Sequence, residues 1–460
     1  MTPVETAVNS VRGAIASFHP RAMPRLARVH YRREAGAWLL ISTMMGAVAA
    51  GVVSVIAKNA YADAVPEKWL NVAVALLTGA GAYAHLSSFL WASLSHGLNK
   101  IRFLTGLQVA AAALVAMIAL APTTGWGLVM FTVGAVLTQI CWSGVVTLRS
   151  TVWRANYARN ARAKMAGKIA TFQAFAMVGS SLCIGVAMRY NPDAFHFLYP
   201  LAAVFGLTGA GLYSRMRMRG HRALLAAENR DENGRSQARS LPHLWRIVRR
   251  DRPFRYYLIL MMILGFGNHM ANAPLVIMLR DVFGYGYLVG ILITASIPIL
   301  MMPMSIPIWA PMLDRMHIAD FRAVHSWMFV LTIGVLLLAA TLHLPALLWV
   351  AAVLRGLAFG GGVLGWNLGT HDFASDADAS LYMGVHVTLT GARGLVAPIL
   401  AVALYNQLNA WQDGAGQWVF AICLGLVIIG AIGFAALKGR MSSDPHVTEV
   451  ARSAPPREGV

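Results

Sequence analysis

About twelve stretches of roughly 20 residues in this chain carry almost no charge, and that pattern limits what the chain can fold into. Backbone in hydrocarbon has no water to bond with. An open run of this length is stable there only as a helix that closes its own N–H to C=O bonds. All 19 Asp and Glu lie between the stretches, and only Arg355 and Arg393 among the basic residues fall well inside one. Charged residues are 12% of the chain and apolar residues 57%, against about 25% and 45–50% in soluble domains. A membrane β-barrel would show alternating segments of about ten residues, and the sequence has no such segments. The expected fold class is an all-α polytopic membrane protein.

The spans read as 37–57, 69–90, 103–121, 126–147, 168–188 and 195–214, then 256–278, 286–309, 323–342, 346–368, 382–406 and 417–437. An even number of spans returns both termini to one side. The net charge of +19 is distributed with the same sidedness. Lys58, Lys68, Arg189 and Arg280 lie on one side, Arg355 and Arg393 are in spans, and every other Lys and Arg lies on the opposite side. That bias marks the crowded side as cytoplasmic and argues against nucleic acid as the partner of the charge. The arginines of segment 1–36 form a basic cytoplasmic lead-in with no signal-peptide pattern. Cys141, Cys183 and Cys423 all sit in apolar spans as small core residues, with no disulfide or metal framework.

Residues 215–255 are rich in arginine and contain no run long enough to cross. They divide the chain into bundles 37–214 and 256–437, with a cytoplasmic tail at 438–460. They read as a cytoplasmic linker whose charge sets topology, the alternative being a surface helix on anionic lipid around Leu241–Val248. The halves echo each other. Trp91-Ala-Ser-Leu-Ser-His96-Gly97 follows span two, and Trp309-Ala-Pro-Met-Leu-Asp314-Arg315 follows span eight. Met165-Ala-Gly167 and Tyr382-Met-Gly384 open spans five and eleven.

Twelve spans, a basic central loop and a polar turn after spans two and eight together resemble the major facilitator superfamily. Asp314-Arg315, with Arg322 further on, fits the acidic–basic core of that family's signature turn, and His96-Gly97 replaces it in the first half. Arg355-Gly356-Leu-Ala-Phe-Gly360-Gly361 resembles the family's arginine–glycine motif, moved here from span four, which has Gln139, to span ten. The resemblance implies two six-helix bundles related by a pseudo-two-fold axis, alternating access to a central site, and gating by Asp314, Arg315 and Arg322. Two features depart from it. Span five (Met177-Val-Gly179-Ser180-Ser181) lacks the Gly-Pro of drug–proton antiporters, and no Asp or Glu is expected inside a span of the first half.

Arg355 and Arg393 are each about 15 Å deep at 1.5 Å per residue, near the centre of a ~30 Å core. A charge there costs at least ~2.5 kcal/mol, so each must face a cavity or a partner. The sequence offers no carboxylate at that depth, which points to an anion held by guanidinium forks. The competing reading is that each arginine bonds backbone carbonyls and only holds the bundle together. Thr390 and His386 share a helical face with Arg393. Asn268, His269 and Asn272 precede Pro274 in span seven and suit an irregular cavity-lining helix. Tyr83, Gln139, Trp142, Gln173, Trp366 and Asn367 are further polar candidates. His85, His269 and His386 are the groups in spans that titrate near neutral pH, and so the candidates for proton coupling. The acidic loop of Asp372, Asp376 and Asp378 is expected to latch onto the basic segment 149–168.

These readings describe a secondary transporter of a bacterial-type inner membrane, monomeric and in contact with lipid. It would move a small organic solute, anionic in character, alone or with a proton or counter-ion. No cofactor or metal is expected, and no nucleotide-binding loop is present. The alternatives are a multidrug exporter, a lipid-acting membrane enzyme, and a sensor that has lost transport. The enzyme would need an acid, base or metal set converging at one depth.

Overall fold

The computed structural model describes residues 16–24, 27–157, 159–230, 248–374 and 379–441, and these contain no β-strand. Twelve helices long and apolar enough to span a membrane run in order. The first six are α1 (Arg28–Ala60), α2 (Glu67–Leu94), α3 (Lys100–Ile118), α4 (Gly125–Asn156), α5 (Met165–Tyr190) and α6 (Pro192–Ser214). The second six are α7 (Arg252–Asp281), α8 (Tyr287–Arg315), α9 (Ile318–Thr341), α10 (Pro345–Leu368), α11 (Leu381–Trp411) and α12 (Ala415–Lys438). Below, the side holding the arginine-rich linker is the basic face, and the opposite side is the far face.

Helix packing shows the internal symmetry more clearly than the sequence does. In the first half α1 packs on α5 and α6, α3 on α4 and α6, and α2 on α4. In the second half α7 packs on α11 and α12, α9 on α10 and α12, and α8 on α10. Adding six to each helix number maps one set onto the other. The seam between the halves obeys the same rule, with α2 against α11 and α8 against α5. Glycine allows the first of these crossings: a Cβ on Gly79 would lie 2.3 Å from the carbonyl oxygen of Gly394.

The helices overrun the apolar stretches, which corrects the expected separation of charge from span. Glu34 is 0% exposed within α1, so the first half does hold a buried carboxylate. Trp38 Nε1 donates to it at 3.0 Å, and Trp153 Nε1 and the Tyr157 hydroxyl also donate. The Arg149 guanidinium stacks 4.5 Å from the centres of both the Trp38 and Trp153 rings. Three donors and a nearby cation replace the lost hydration. Lys58 and Arg322 are likewise buried within α1 and α9.

A further helix, His221–Arg230, docks the linker onto the turn after α2. One Glu228 carboxylate oxygen accepts from Lys100 Nζ and from the Gly97 N–H, each at 2.8 Å. Gly97 has φ +72°, so the turn favours glycine there. The linker thus brings a carboxylate to the turn that has His96-Gly97 in place of an acidic–basic pair. Most of the Leu241–Val248 segment lies outside the described residues.

Candidate functional site

Two spans are broken at matching depth. α1 consists of helices Arg28–Ala47 and Ala50–Ala60, separated by an extended Ala49. α7 consists of Arg252–Met270 and Asn272–Asp281. Pro274 contributes to the second break because it has no N–H to offer the Met270 carbonyl. Each break is serviced by the fourth helix of its half. Gln139 on α4 donates from Nε2 to the Val48 carbonyl at 2.9 Å. Arg355 on α10 donates from Nη2 to Asn272 Oδ1 at 2.5 Å.

Between the breaks lies a cavity of about 230 Å³. The first half lines it with Ala49, Gly51 and Thr78, and the second half with Asn272, Thr294, Arg355 and Phe359 among others. Arg355 sits about ten residues, roughly 15 Å, from the far-face end of α10, which is half the depth of a ~30 Å core. Its guanidinium lies 5.2 Å from the Phe359 ring centre, and its Nε has no hydrogen-bond partner. Among the described residues, no Asp, Glu or His lines this cavity. Arg355, Asn268 and Asn272 also line a pocket of about 20 Å³ within the second half, room for about one water.

Four polar contacts join the halves from the level of this cavity to the far face. Lys58, 1% exposed, pairs with Asp281 at 2.6 Å. Asn71 Nδ2 donates to Asn406 Oδ1 at 3.0 Å. The Thr294 hydroxyl donates to the Gly51 carbonyl at 3.1 Å, and the Ser181 and Ser296 hydroxyls bond each other at 2.8 Å. Beyond the Lys58–Asp281 pair, a polar vestibule of about 1040 Å³ opens on the far face.

The other sequence candidates divide by location. Arg393 does not line the cavity. It is buried, donates from Nη1 to the Met261 carbonyl at 2.5 Å, and fills the space above Gly265 between α7 and α11. Thr390 is tied up beside it, its hydroxyl donating to the His386 carbonyl and accepting from Trp366 Nε1. His269 lies within electrostatic reach of both arginines, with Nδ1 unpartnered. His85 reaches across the seam, its ring 5.4 Å from that of Trp366, which in turn is 5.8 Å from His386. The Tyr83 hydroxyl donates to the Leu76 carbonyl of its own helix. Gln173 accepts from Arg149, Trp142 packs edge-on against Trp38, and Asn367 bonds the Val363 carbonyl.

Asp314 and Arg315 are exposed at the basic end of α8, whereas Arg322 is 2% exposed within α9. Arg322 Nη1 donates to His325 Nδ1 at 3.4 Å, and His325 Nε2 donates to the Ala358 carbonyl. The three residues therefore do not form one cluster. Asp372 accepts the Ile318 N–H at 2.7 Å, an engagement within the second half; Asp376 and Asp378 lie outside the described residues.

Sequence reasoning missed Thr78, Thr294 and Phe359 in the cavity, and Lys58 and Asp281 in the closure. One signal was available for the closure: Lys58 and Asp281 end the first span of each half, at pseudo-equivalent positions.

Residues 39–392 match the Major Facilitator Superfamily. The chain belongs to the major facilitator superfamily. It is a multi-pass membrane transporter of that family, and solved structures share its architecture. A mutant form of the nucleoside transporter NupG aligns with TM-score 0.67 and 14% identity, over 88% of this chain and 99% of that one. A D-xylose–proton symporter aligns with TM-score 0.64 and 12% identity, over 88% and 96%. The human organic anion transporter MFSD10 aligns with TM-score 0.58 and 14% identity, over 90% and 100%. At these identities the likeness is one of fold. No curated protein sequence matches the chain.

Proposed function

We propose that this superfamily member is a secondary transporter for a small organic anion, bound at the Arg355 cavity and moved by rocking of the two halves. The observation that carries the reading is the Arg355 guanidinium, which lines a midplane cavity whose lining has no acidic side chain. Asn272, Thr78 and Thr294 add neutral hydrogen-bonding groups, and Phe359 adds an apolar wall. A carboxylate, phosphate or sulfonate fits this set, because a guanidinium presents a planar fork to two anion oxygens. The basic face is cytoplasmic on the positive-inside bias, in a bacterial-type inner membrane, with both termini on that side. The polar contacts that bridge the halves support a state closed on the far face.

Thermal stability of the purified protein, measured against anionic, neutral and cationic metabolites, tests this reading. One anion class should stabilise the wild type, and Arg355→Gln should abolish the effect. Stabilisation by lipophilic cations, unchanged in Arg355→Gln, would replace the reading with multidrug export.

A further inference from the structure

We infer that a cleft on the basic face of the first half holds a phosphate group, carried on a lipid headgroup or free in solution. The cleft, of about 660 Å³, lies between the start of α3, the end of α6 and the start of the linker helix His221–Arg230. It shares no lining residue with the Arg355 cavity and does not depend on what that cavity binds.

Three arginines reach the cleft from three different elements. Arg102 is in the first turn of α3, Arg217 follows the end of α6, and Arg222 is in the first turn of the linker helix. All three are exposed, and none has an ion-pair partner among the described residues. No Asp or Glu among those residues lines the cleft. Glu228, on the same linker helix, is already engaged by Lys100 at 2.8 Å. His221 adds a ring to the lining, and its Nδ1 is buried without a hydrogen-bond partner.

The backbone that carries these arginines is held in place. Asn156, 1% exposed, donates from Nδ2 to the Arg217 carbonyl and accepts the Arg219 N–H, each at 3.0 Å. Glu228 holds the linker helix to Lys100 and to the Gly97 N–H. Like charges gathered in this way repel one another. An anion with several oxygens relieves the repulsion, because it can accept from more than one guanidinium fork at once. A phosphate group has the charge and the oxygens for this.

The surroundings of the cleft favour a lipid as the source. Arg102 heads an exposed stripe of α3 that continues through Val109, Ala113 and Met117. Ser214, also in the lining, heads an exposed stripe of α6 through Gly211, Val204 and Leu201. Spacings of three, four and seven put each stripe on one helical face, and an apolar exposed face on a spanning helix meets acyl chains. The cleft therefore sits where the apolar faces end, at headgroup depth, and a basic pocket between spans at that depth takes an anionic headgroup.

The test titrates the full-length protein in neutral detergent, with the thermal midpoint as readout. The ligands are dihexanoyl phosphatidylglycerol below its micelle concentration, dihexanoyl phosphatidylcholine, and inorganic phosphate balanced against chloride. Phosphatidylglycerol should stabilise the wild type, and phosphatidylcholine, whose net charge is zero, should not. Arg102→Gln/Arg217→Gln/Arg222→Gln should raise the half-saturating concentration at least about tenfold. Arg249→Gln/Arg250→Gln/Arg252→Gln removes the same charge elsewhere on the basic face and should change it less than about twofold. Ala223→Asp places a carboxylate in the cleft at an exposed first-turn position that favours acids. It should weaken binding as the first triple variant does, and it carries the test if that variant fails to fold. Inorganic phosphate acting with the same arginine dependence, with nothing added by phosphatidylglycerol, would support the site and name free phosphate as its source. No ligand effect that depends on the three arginines, or an equal loss in both triple variants, overturns the site.

Discussion

Arg355 and Arg393 are the same side chain at similar depth, and the groups around them separate their roles. Arg355 opens onto a cavity shared by both halves, whereas Arg393 is wedged between α7 and α11 against Met261 and Gly265. Arg393→Met should therefore remove the charged hydrogen bond to the Met261 carbonyl, at a cost of about 1.5–3 kcal/mol. The expected outcome is a thermal midpoint several degrees lower with anion stabilisation retained; a folded variant that no longer responds to anion would return Arg393 to the site. Glu34 makes the complementary case. Glu34→Ala removes the acceptor that Trp38, Trp153 and Tyr157 share and the negative charge beside Arg149. Breaking a buried, charge-assisted network in this way costs about 3–5 kcal/mol, so a thermal midpoint equal to wild type would refute the network's structural role.

Among the elements, the linker helix and the broken spans depart most from regular helical packing. Glu228 holds the linker helix to the α2–α3 turn through Lys100 and the Gly97 N–H. Glu228→Ala removes both bonds. Hydrogen exchange of the His221–Arg230 amides should then accelerate by roughly tenfold or more, while α2 and α3 keep their protection. Unchanged exchange would mean that the helix is held by something else. The breaks in α1 and α7 differ in how visible they are in sequence. Pro274 and the asparagines beside it announce an irregular α7, since proline cannot bond the preceding turn. Val48 and Ala49 carry no such signal; their break appears only when Gln139, far along the chain, takes the Val48 carbonyl.

For the whole molecule, the far-face closure decides which way the cavity opens. Lys58 on the first half bridges to Asp281 on the second at 2.6 Å, with Glu67 of its own half at 3.9 Å. Asp281→Asn deletes the charge that joins the halves and leaves Lys58 to turn toward Glu67. A cysteine at Thr78, in the cavity wall, should then react with a membrane-impermeant maleimide added from the far face at least about fivefold faster than in the Asp281 parent. Equal rates would show that Asn71–Asn406 and the serine and threonine contacts close the far face on their own.

The number of spans, their helical character and the side on which the basic loops collect were determined by sequence alone. A bilayer imposes those features through length, apolar run and charge bias, which any stretch of the chain displays locally. Hydropathy also located Arg355 and Arg393, because a lone charge in an apolar run stands out. It misplaced Glu34, Lys58 and Arg322, which sit at the ends of apolar runs and read as loop residues. Their burial depends on Trp153, Asp281 and His325, partners supplied by packing or by distant parts of the chain. Only the tertiary structure decided which arginine faces the cavity. The cost of a charge in hydrocarbon requires that each arginine turn toward protein or a water-filled cavity. Whether that neighbour is a backbone carbonyl or a shared cavity is set by how α7, α10 and α11 pack, and no local stretch of sequence carries that information.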